Sequence, residues 1–341
     1  MKKVGFFGGK FLPLHQGHVY AIIKASTMVD ELYVVLSHSV KRDQELCEGS
    51  KLPYIPAQIR LRWLSQLTKD MDNVKVLEVE DGDGDKDYNW NEGALKIREA
   101  IGKDIEVVFS SEVEYGPIFA ELYPHAKHIL IDERRSEVTI SATKIREEGV
   151  FGNWEYIPDV AKPYFIKKVV ILGTERCGKS TLTRNLALIY NTTYVQEYGR
   201  DYCEYLGGCD GIILAEDYPI IAFGHKMKEY EAIKKANKIV FIDTEAAVTQ
   251  FYSELYNQKH QTVLNDIARL QKYDLCLYLE PDVQWVDDGL RVHGEQKVRE
   301  ENNLRLKGIL RENGIEFVSI SGTFEERLQK SLQFISRIFD V

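Results

Sequence analysis

The strongest constraint on the fold of this chain is the alternation of strand-like and helix-like segments along its whole length. Short apolar runs rich in Val, Ile, Leu and Phe are separated by longer segments, and no internal repeat interrupts the pattern. Such alternation is typical of α/β proteins with mainly parallel sheets. The predicted strands are 4–7, 32–36, 74–79, 105–109 and 128–131 in the first half, and 168–172, 194–196, 239–242, 275–279 and 316–320 in the second.

The alternation breaks once, and the break predicts two domains. The segment 151–163 holds two of the nine prolines, and a fresh strand pattern starts at Lys168. A chain of 341 residues also exceeds the size at which one hydrophobic core usually keeps growing. We therefore expect an α/β protein with two doubly wound parallel-sheet domains in series, residues 1–155 and residues 156–341.

Charge and cysteine usage narrow the class of protein. Asp and Glu number 53 against 44 Lys and Arg, a formal net charge of −9. Nonspecific binding to the phosphate backbone of nucleic acids is therefore not expected. Anionic ligands would have to bind in local basic pockets. The five cysteines form no C-x-x-C pair, and no apolar run approaches the roughly 18 residues of a membrane span. These features predict a cytoplasmic protein without nucleic-acid or membrane partners, and they leave a homo-oligomer open.

The second half begins with a phosphate-binding motif. Directly after the strand 168–172 comes G-x-x-x-x-G-K-S, followed by a helical segment. The glycines let backbone N–H groups converge on phosphate oxygens, Lys179 neutralises the β- and γ-phosphates, and the hydroxyl of Ser180 can hold magnesium. A chance Gly-rich turn is the structural alternative. The predicted ATP-binding residues are Gly173, Thr174, Glu175, Arg176, Cys177, Gly178, Lys179, Ser180 and Thr181.

Carboxylates that follow later strands are candidates to complete this site. Asp243 ends an apolar strand, where a P-loop fold places the acidic group that steadies the metal's water shell; the alternative is a cap on the next helix. Glu197, and after it Asp201, could orient or deprotonate an acceptor hydroxyl. Either carboxylate could instead pair with Arg200 in a structural role.

A charged segment near the end of the chain suits a mobile lid. Trp285 to Arg291 precedes a stretch that contains Arg299 and Arg305. In a phosphoryl-transfer enzyme the arginines of a lid meet the transferring phosphate, so Arg291 is an ATP-binding candidate. The alternative is a solvated helix face with ion pairs, and for Arg305 we favour it.

In the first half, two histidines three residues apart follow the opening strand at the start of a helix. The rings of His15 and His18 can point to one spot above the helix N-terminus, which attracts phosphate. Zinc binding lacks a third ligand at a sensible spacing, and two core histidines are the structural alternative. The other residues predicted to line this phosphate site are Gly8, Gly9, Lys10, Phe11 and Gly17.

A second anion clamp is predicted near the end of the first half. Ser141 or Thr143 can cap the short helix that carries Arg146, so that N–H groups, hydroxyls and a guanidinium face one anion. A plain capped surface helix is the alternative. The histidine pair in the same domain favours the clamp.

Together these motifs resemble a known family. G-G-x-F-x-P-x-H-x-G-H followed by I-S-x-T-x-x-R resembles the Rossmann-like nucleotidyltransferase superfamily of adenylyl and cytidylyl transferases. Joined to a P-loop kinase, nearly the whole chain resembles the bifunctional nicotinamide mononucleotide adenylyltransferase and ribosylnicotinamide kinase of the NadR type. Enterobacterial members carry an additional helix-turn-helix repressor module. Because the first strand here starts near Val4, we expect no DNA-binding repression.

The resemblance implies two reactions of NAD salvage. The kinase domain would phosphorylate ribosylnicotinamide with ATP and magnesium, and the first domain would adenylylate the nicotinamide mononucleotide with a second ATP, giving NAD and pyrophosphate. His15, His18 and Lys10 would act near the α- and β-phosphates, and the clamp near the pyrophosphate. The candidate substrate-binding residues are Trp90, Trp154, Arg200, Trp285 and Asp287.

Some of these residues have plain structural alternatives. A flat, cationic nicotinamide ring favours an aromatic face, but Trp90 and Trp154 can equally be core or hinge packing. Arg42 and Arg60 are candidates to bind substrate phosphate, and solvated surface arginines are the expectation.

Other functions remain open on the residues alone. A fused enzyme that makes flavin adenine dinucleotide is disfavoured, because the riboflavin kinase part of that family is a β-barrel. A pantetheine-phosphate or glycerol-phosphate nucleotidyltransferase would leave the second half unused. From a different class, a nonenzymatic sensor could bind ATP or NAD in both pockets and switch a partner's affinity.

Overall fold

The computed structural model describes residues 2–82, 89–209, 211–282 and 296–339. It divides into two compact units, Met1–Lys162 and Pro163–Val341, and each unit contains a five-stranded parallel sheet. The α/β class is therefore confirmed, and so is each predicted strand.

The first unit has the strand order β3-β2-β1-β4-β5. Successive strands are added on one side of β1 up to β3 and on the other side from β4 onward, so the order switches at β1. Ligands of such open sheets bind beyond the carboxyl ends of the strands at the switch, here between β1 and β4. The strands are β1 (Val4–Gly9), β2 (Glu31–His38), β3 (Val74–Glu80), β4 (Val107–Ser110) and β5 (Lys127–Leu130). The helices are α1 (Gln16–Ser26), α2 (Val40–Cys47), α3 (Ala57–Thr68), α4 (Trp90–Ile101), α5 (Tyr115–Leu122) and α6 (Ala142–Glu148), and a 3-10 helix spans Phe151–Tyr156.

The central strands of the first unit are buried on both faces, which explains their continuous apolar runs. On one face Phe6, Tyr33 and Val35 pack against Ala94 and Ile97 of α4. Each fully buried apolar side chain contributes roughly 1.5–3 kcal/mol, so this packing holds the strand ends in place.

The second unit has the strand order β10-β9-β6-β8-β7. The first strand, β6, lies between β9 and β8, and Ile171 of β6 pairs in register with Asp243 of β8. The strands are β6 (Lys167–Leu172), β7 (Tyr194–Val195), β8 (Ile239–Asp243), β9 (Leu275–Leu279) and β10 (Val318–Ile320). The helices are α7 (Lys162–Phe165), α8 (Lys179–Ile189), α9 (Tyr198–Leu206), α10 (Asp217–Ile233), α11 (Ala246–Asn257), α12 (Thr262–Leu270), α13 (Gln296–Glu312) and α14 (Phe324–Arg337).

Cysteine pairing differs from the sequence analysis, which identified no pair. Cys203 and Cys209 form a disulfide at the C-terminal end of α9, whereas Cys47, Cys177 and Cys276 are free and buried. The spacing of six residues is not a recognised motif, so it gave no signal. Among the helices of the described ranges, none has both the length and the apolar character required to cross a membrane.

Candidate active sites

The site in the second unit is the loop between β6 and α8. Gly173 and Gly178 have φ angles of 142° and 89°, which side-chain-bearing residues rarely adopt. A Cβ at Gly173 would also lie 2.7 Å from the carbonyl oxygen of Leu279. The loop therefore requires glycine at these positions, and it passes into α8 at Lys179. This is the strand-loop-helix setting that the motif predicts.

Lys179 is buried in this loop, where its ammonium donates to the carbonyl oxygen of Thr174 at 2.8 Å. Burial disfavours the charged form, but electrostatic interactions with Cys177, Glu197 and Asp243 outweigh it and raise the pKa of Lys179. The loop thus contains a permanent positive charge, as neutralisation of phosphate requires.

Asp243 lies beside Ser180, as the sheet order dictates. The Ser180 hydroxyl donates to Oδ2 of Asp243 at 2.5 Å, while Oδ1 is buried and, among the described residues, has no hydrogen-bond partner. Burial raises the pKa of Asp243; Lys179 opposes this rise and Glu197 adds to it. The carboxylate does not cap the next helix, because Glu245 accepts from the N–H groups at the start of α11.

These two residues fit a magnesium ion. A serine hydroxyl and a carboxylate oxygen are the hard ligands that magnesium prefers, and it usually completes its shell with water and phosphate oxygens. Within the described ranges there is no group of three or more His, Cys, Asp or Glu that could hold a metal ion. An ion at Ser180 and Asp243 would therefore depend on the nucleotide for its remaining ligands.

The two candidate acceptor bases have different surroundings. Asp201 forms an ion pair with Lys228 of α10 rather than with Arg200. Glu197 is the first residue before α9, and its carboxylate caps no N–H of that helix. Its charge helps to raise the pKa of both Lys179 and Asp243, and in each case only burial and one other group have a larger effect, so Glu197 lies near the phosphate loop. This geometry favours Glu197.

The predicted lid is only partly described. Trp285, Asp287 and Arg291 lie outside the described residues. Arg305 forms an ion pair with Glu254 of α11 at 3.0 Å and is 43% exposed, which agrees with the structural alternative.

The site in the first unit contains the histidine pair at the start of α1. The rings of His15 and His18 stack, with centroids 3.7 Å apart, and Phe11 lies edge-on to His18 at 4.9 Å. Nδ1 of His15 accepts the N–H of Gly17 at 3.1 Å. In a neutral imidazole that acceptor role leaves the proton on Nε2, so His15 can donate from Nε2 to a ligand.

Both histidines are neutral at neutral pH. Burial, with smaller contributions from Arg135 and Arg146, lowers the pKa of His15 to about 3. Burial, then His15 and Arg135, lowers the pKa of His18 well below its usual value. The pair can therefore donate hydrogen bonds to phosphoryl oxygens without a fixed charge of its own.

Lys10 belongs to a network of buried charges. Its ammonium lies 2.8 Å from Oδ1 of Asp43 and 3.8 Å from Oδ2 of Asp81. Asp43 also accepts Nη2 of Arg60 at 2.5 Å, and Nη1 of Arg60 donates to the carbonyl oxygen of Lys10 at 2.7 Å. The expectation that Arg60 is a solvated surface residue is wrong, because its side chain is 0% exposed. Arg60 instead holds the backbone of Lys10 directly, and it holds the Lys10 side chain through their shared partner Asp43.

The predicted clamp lies next to the histidine pair. Ser141, not Thr143, caps α6 by accepting the N–H of Lys144. Arg146 donates to Thr143 and, at 2.9 Å, to the carbonyl oxygen of Leu12, which precedes the histidines. The structure therefore brings the two anion motifs of this unit together, although they are separated by 134 residues along the chain.

The two candidate tryptophans differ. Trp154 is buried and its ring stacks on Phe151, with centroids 5.9 Å apart, which agrees with the core-packing alternative. Trp90 begins α4, is half-buried, and packs edge-on against Tyr115 and Phe119. Trp90 stays a prediction.

Two parallel-sheet units, each with a phosphate-binding loop where its first strand ends, define a bifunctional nucleotide-dependent transferase. Residues 6–148 match the cytidylyltransferase-like family, and residues 168–327 match the AAA domain family. The trifunctional NAD biosynthesis/regulator protein NadR of Escherichia coli (strain K12) is 38% identical over 328 residues, covering 94% of this chain and 79% of that protein.

Solved structures agree with this similarity. A crystal structure of NadR protein in complex with NR is 27% identical, has a TM-score of 0.80, and matches 100% of this chain and 97% of that one. Another, in complex with NAD and AMP-PNP, is 26% identical with a TM-score of 0.79 and the same coverage. The chain belongs to the NadR family, which confirms the resemblance seen in the sequence.

Proposed function

We propose that this bifunctional enzyme of NAD biosynthesis runs two consecutive reactions. The second unit transfers the γ-phosphoryl group of ATP to the 5'-hydroxyl of ribosylnicotinamide. The first unit joins the resulting nicotinamide mononucleotide to the adenylyl group of a second ATP, giving NAD and pyrophosphate. The observation that carries this proposal is that each unit has its own phosphate-binding loop, with Lys179 in one and the His15–His18 pair in the other.

In the kinase reaction, the loop of residues 173–181 binds the phosphates of ATP through its N–H groups, and Lys179 neutralises their charge. Ser180 and Asp243 would hold magnesium, which when bound neutralises charge on the β- and γ-phosphates. Oδ1 of Asp243, which has no hydrogen-bond partner in the described part of the chain, supports this assignment.

Glu197 accepts the proton from the 5'-hydroxyl. The hydroxyl oxygen forms a bond to the γ-phosphorus, the bond from that phosphorus to the β–γ bridging oxygen breaks, and ADP leaves. Asp201 is engaged with Lys228, which supports Glu197 as the base. Arg200, Trp285, Asp287 and Arg291 remain predicted contacts of substrate or ATP.

In the adenylyl transfer, a phosphate oxygen of the mononucleotide attacks the α-phosphorus of ATP and pyrophosphate leaves. His15 and His18 donate hydrogen bonds to the phosphoryl oxygens as charge develops, and Lys10 adds a positive charge beside them. Ser141, Thr143 and Arg146 bind the outgoing pyrophosphate. No covalent intermediate on the protein is required, because positioning and charge stabilisation suffice.

Nicotinamide recognition in the first unit rests on Trp90, whose aromatic face suits a flat cationic ring. We further place the enzyme in the cytoplasm, without nucleic-acid or membrane partners. The formal net charge of −9 supports the absence of a nonspecific nucleic-acid partner.

Product analysis tests the proposal. Incubation of the purified chain with ribosylnicotinamide, ATP and magnesium should give ADP, nicotinamide mononucleotide, NAD and pyrophosphate, identified by mass. Incubation with the mononucleotide should give NAD and pyrophosphate without ADP. If ATP or NAD binds but neither pyridine substrate is converted, the nonenzymatic sensor becomes the better account.

A further inference from the structure

We propose that Arg327 is a positioning residue for phosphoryl transfer, which fixes the Cys177–Gly178 peptide so that the N–H of Gly178 faces the phosphates of ATP. The proposal rests on the kinase function of the second unit. No local sequence pattern marks this residue, because Arg327 is 150 residues away from the loop along the chain.

Arg327 extends from α14 and is only 2% exposed. Its Nη1 donates to the carbonyl oxygen of Cys177 at 2.6 Å, and its Nη2 donates to the carbonyl oxygen of Glu280 at 2.8 Å. Its Nε donates to the carbonyl oxygen of Gly322 at 2.8 Å, and the guanidinium pairs with the carboxylate of Asp282. One side chain therefore connects the phosphate loop, the end of β9 and the loop before α14.

The contact with Cys177 orients a peptide group. In a trans peptide the C=O and the following N–H point in opposite directions. Because the Cys177 carbonyl points toward Arg327, the N–H of Gly178 points away from Arg327. Gly178 immediately precedes α8, so its N–H belongs to the set that binds phosphate at a helix N-terminus. Among the described residues, this N–H donates to no backbone carbonyl.

The acceptor set requires a guanidinium. Three carbonyl oxygens and a carboxylate surround Arg327 in different directions, and a planar fork of N–H donors can reach them together. A lysine ammonium is a compact point charge on a flexible stem and lacks this geometry. The Asp282 carboxylate partly neutralises the Arg327 guanidinium. The same carboxylate also accepts the N–H of Gly322 at 2.6 Å.

A purely structural role predicts something different. If Arg327 only attached α14 to the sheet, its loss would reduce the folded fraction, and both substrates of the kinase would be affected alike. A positioning role predicts a specific rise in KM for ATP, because a misoriented N–H weakens phosphate binding while the acceptor site is intact.

The test uses the full chain with three substitutions. Arg327→Met should raise KM for ATP by about 10- to 100-fold while KM for ribosylnicotinamide stays within about twofold. Arg327→Lys should recover little of this loss. Lys330→Met is the matched control: Lys330 lies on α14 and donates to the carbonyl oxygen of Ser321, and we expect its kinetics to be those of the original chain.

Adenylyl transfer from the mononucleotide is measured in each preparation as an internal standard. Equal KM values for ATP in Arg327→Met and the original chain overturn the proposal, and so does full recovery in Arg327→Lys, since charge alone would then suffice. If Arg327→Met does not fold, KM for ATP is measured instead in Arg327→Lys, provided that its second unit is folded. An unchanged KM for ATP in that variant overturns the proposal.

A separate measurement distinguishes failure of the proposed function. If the original chain does not phosphorylate ribosylnicotinamide, the kinase proposal fails, but binding of AMP-PNP with magnesium by calorimetry still tests Arg327. We expect Arg327→Met to weaken that binding by about 10-fold or more and Lys330→Met to leave it unchanged. Unchanged binding in Arg327→Met overturns the positioning role.

Discussion

Each unit of this chain holds its phosphate-binding loop with one fully buried arginine, but the two arginines are neutralised differently. Arg60 in the first unit donates to the carbonyl oxygen of Lys10 and pairs with Asp43, which is 0% exposed. Arg327 in the second unit donates to three carbonyl oxygens, and its carboxylate partner Asp282 is 40% exposed. The charge of Arg60 behind the first loop is thus balanced by an interior ion pair. The charge of Arg327 behind the second loop is balanced mainly by the dipoles of peptide carbonyl groups.

The largest expected effect tests whether the two sites are separate. Lys179→Ala removes the positive charge of the second loop and should reduce phosphorylation of ribosylnicotinamide by about 100- to 1000-fold, while NAD synthesis from the mononucleotide survives. His18→Ala should do the reverse. Both activities are assayed in the same preparations, and equal loss of both in either variant would contradict two independent sites.

The next largest effect concerns the two carboxylate partners. Asp43→Asn leaves the buried cation of Arg60 without its anion and should lower the free energy of unfolding of the first unit by about 3 kcal/mol. Asp282→Asn should cost the second unit only about 1 kcal/mol, because that carboxylate is partly solvated. Urea unfolding provides the measurement.

Tryptophan fluorescence reports mainly the first unit, because three of the four tryptophans lie there, and the activity of each half reports its own unit. Equal costs for Asp43→Asn and Asp282→Asn would remove the distinction between the two arginines.

Third, we expect His15 and Glu245 to make the free energy of unfolding of their own units depend on pH in opposite directions. The pKa of His15 is lowered to about 3 by burial, so its stabilising contribution is complete above about 6.5 and is lost as the pH falls toward 3. Burial raises the pKa of Glu245 to about 7, so its contribution is complete below about 4.5 and is lost as the pH rises through 7.

Two substitutions test these slopes. His15→Asn keeps an acceptor for the N–H of Gly17, and Glu245→Gln keeps an acceptor at the start of α11, but neither new side chain titrates. Each should remove a slope of up to about 1.4 kcal/mol per pH unit from the stability of its own unit, with opposite sign. Unfolding measured from pH 3 to pH 7 spans the folded and unfolded pKa values of both groups and checks both slopes. Slopes that the substitutions do not change would contradict these titrations.

The smallest effect belongs to a surface pair. Arg305→Gln breaks the half-exposed ion pair with Glu254 and should cost less than about 1 kcal/mol. It should also leave phosphoryl transfer within about twofold of the original rate. A larger loss of turnover would indicate that Arg305 acts in the predicted lid.

The sequence predicted the sheets and both loops because their signals are local. Strands buried on both faces appear in the sequence as continuous apolar runs. Each motif has its glycines and a lysine close together along the chain, and the first motif adds two histidines. Asp243 was also predictable, since it ends an apolar strand.

The two buried arginines had no such signal. Arg60 and Arg327 contact their loops across 50 and 150 residues, and nothing in their neighbours distinguishes them from surface arginines. For Trp154 the sequence left core packing and a ligand face open, because an isolated tryptophan fits either. Long-range packing, rather than local pattern, decides the positions of the two arginines.

The origin of Arg327 in α14 has a consequence for biosynthesis. A ribosome releases residues 173–181 long before it releases the helix that orients their backbone. A nascent chain that stops before Phe324 would carry every residue of the phosphate motif and still lack the guanidinium behind it. Competence for phosphoryl transfer is therefore acquired late, when the last helix of the unit docks, whereas Arg60 is already present when the first unit emerges.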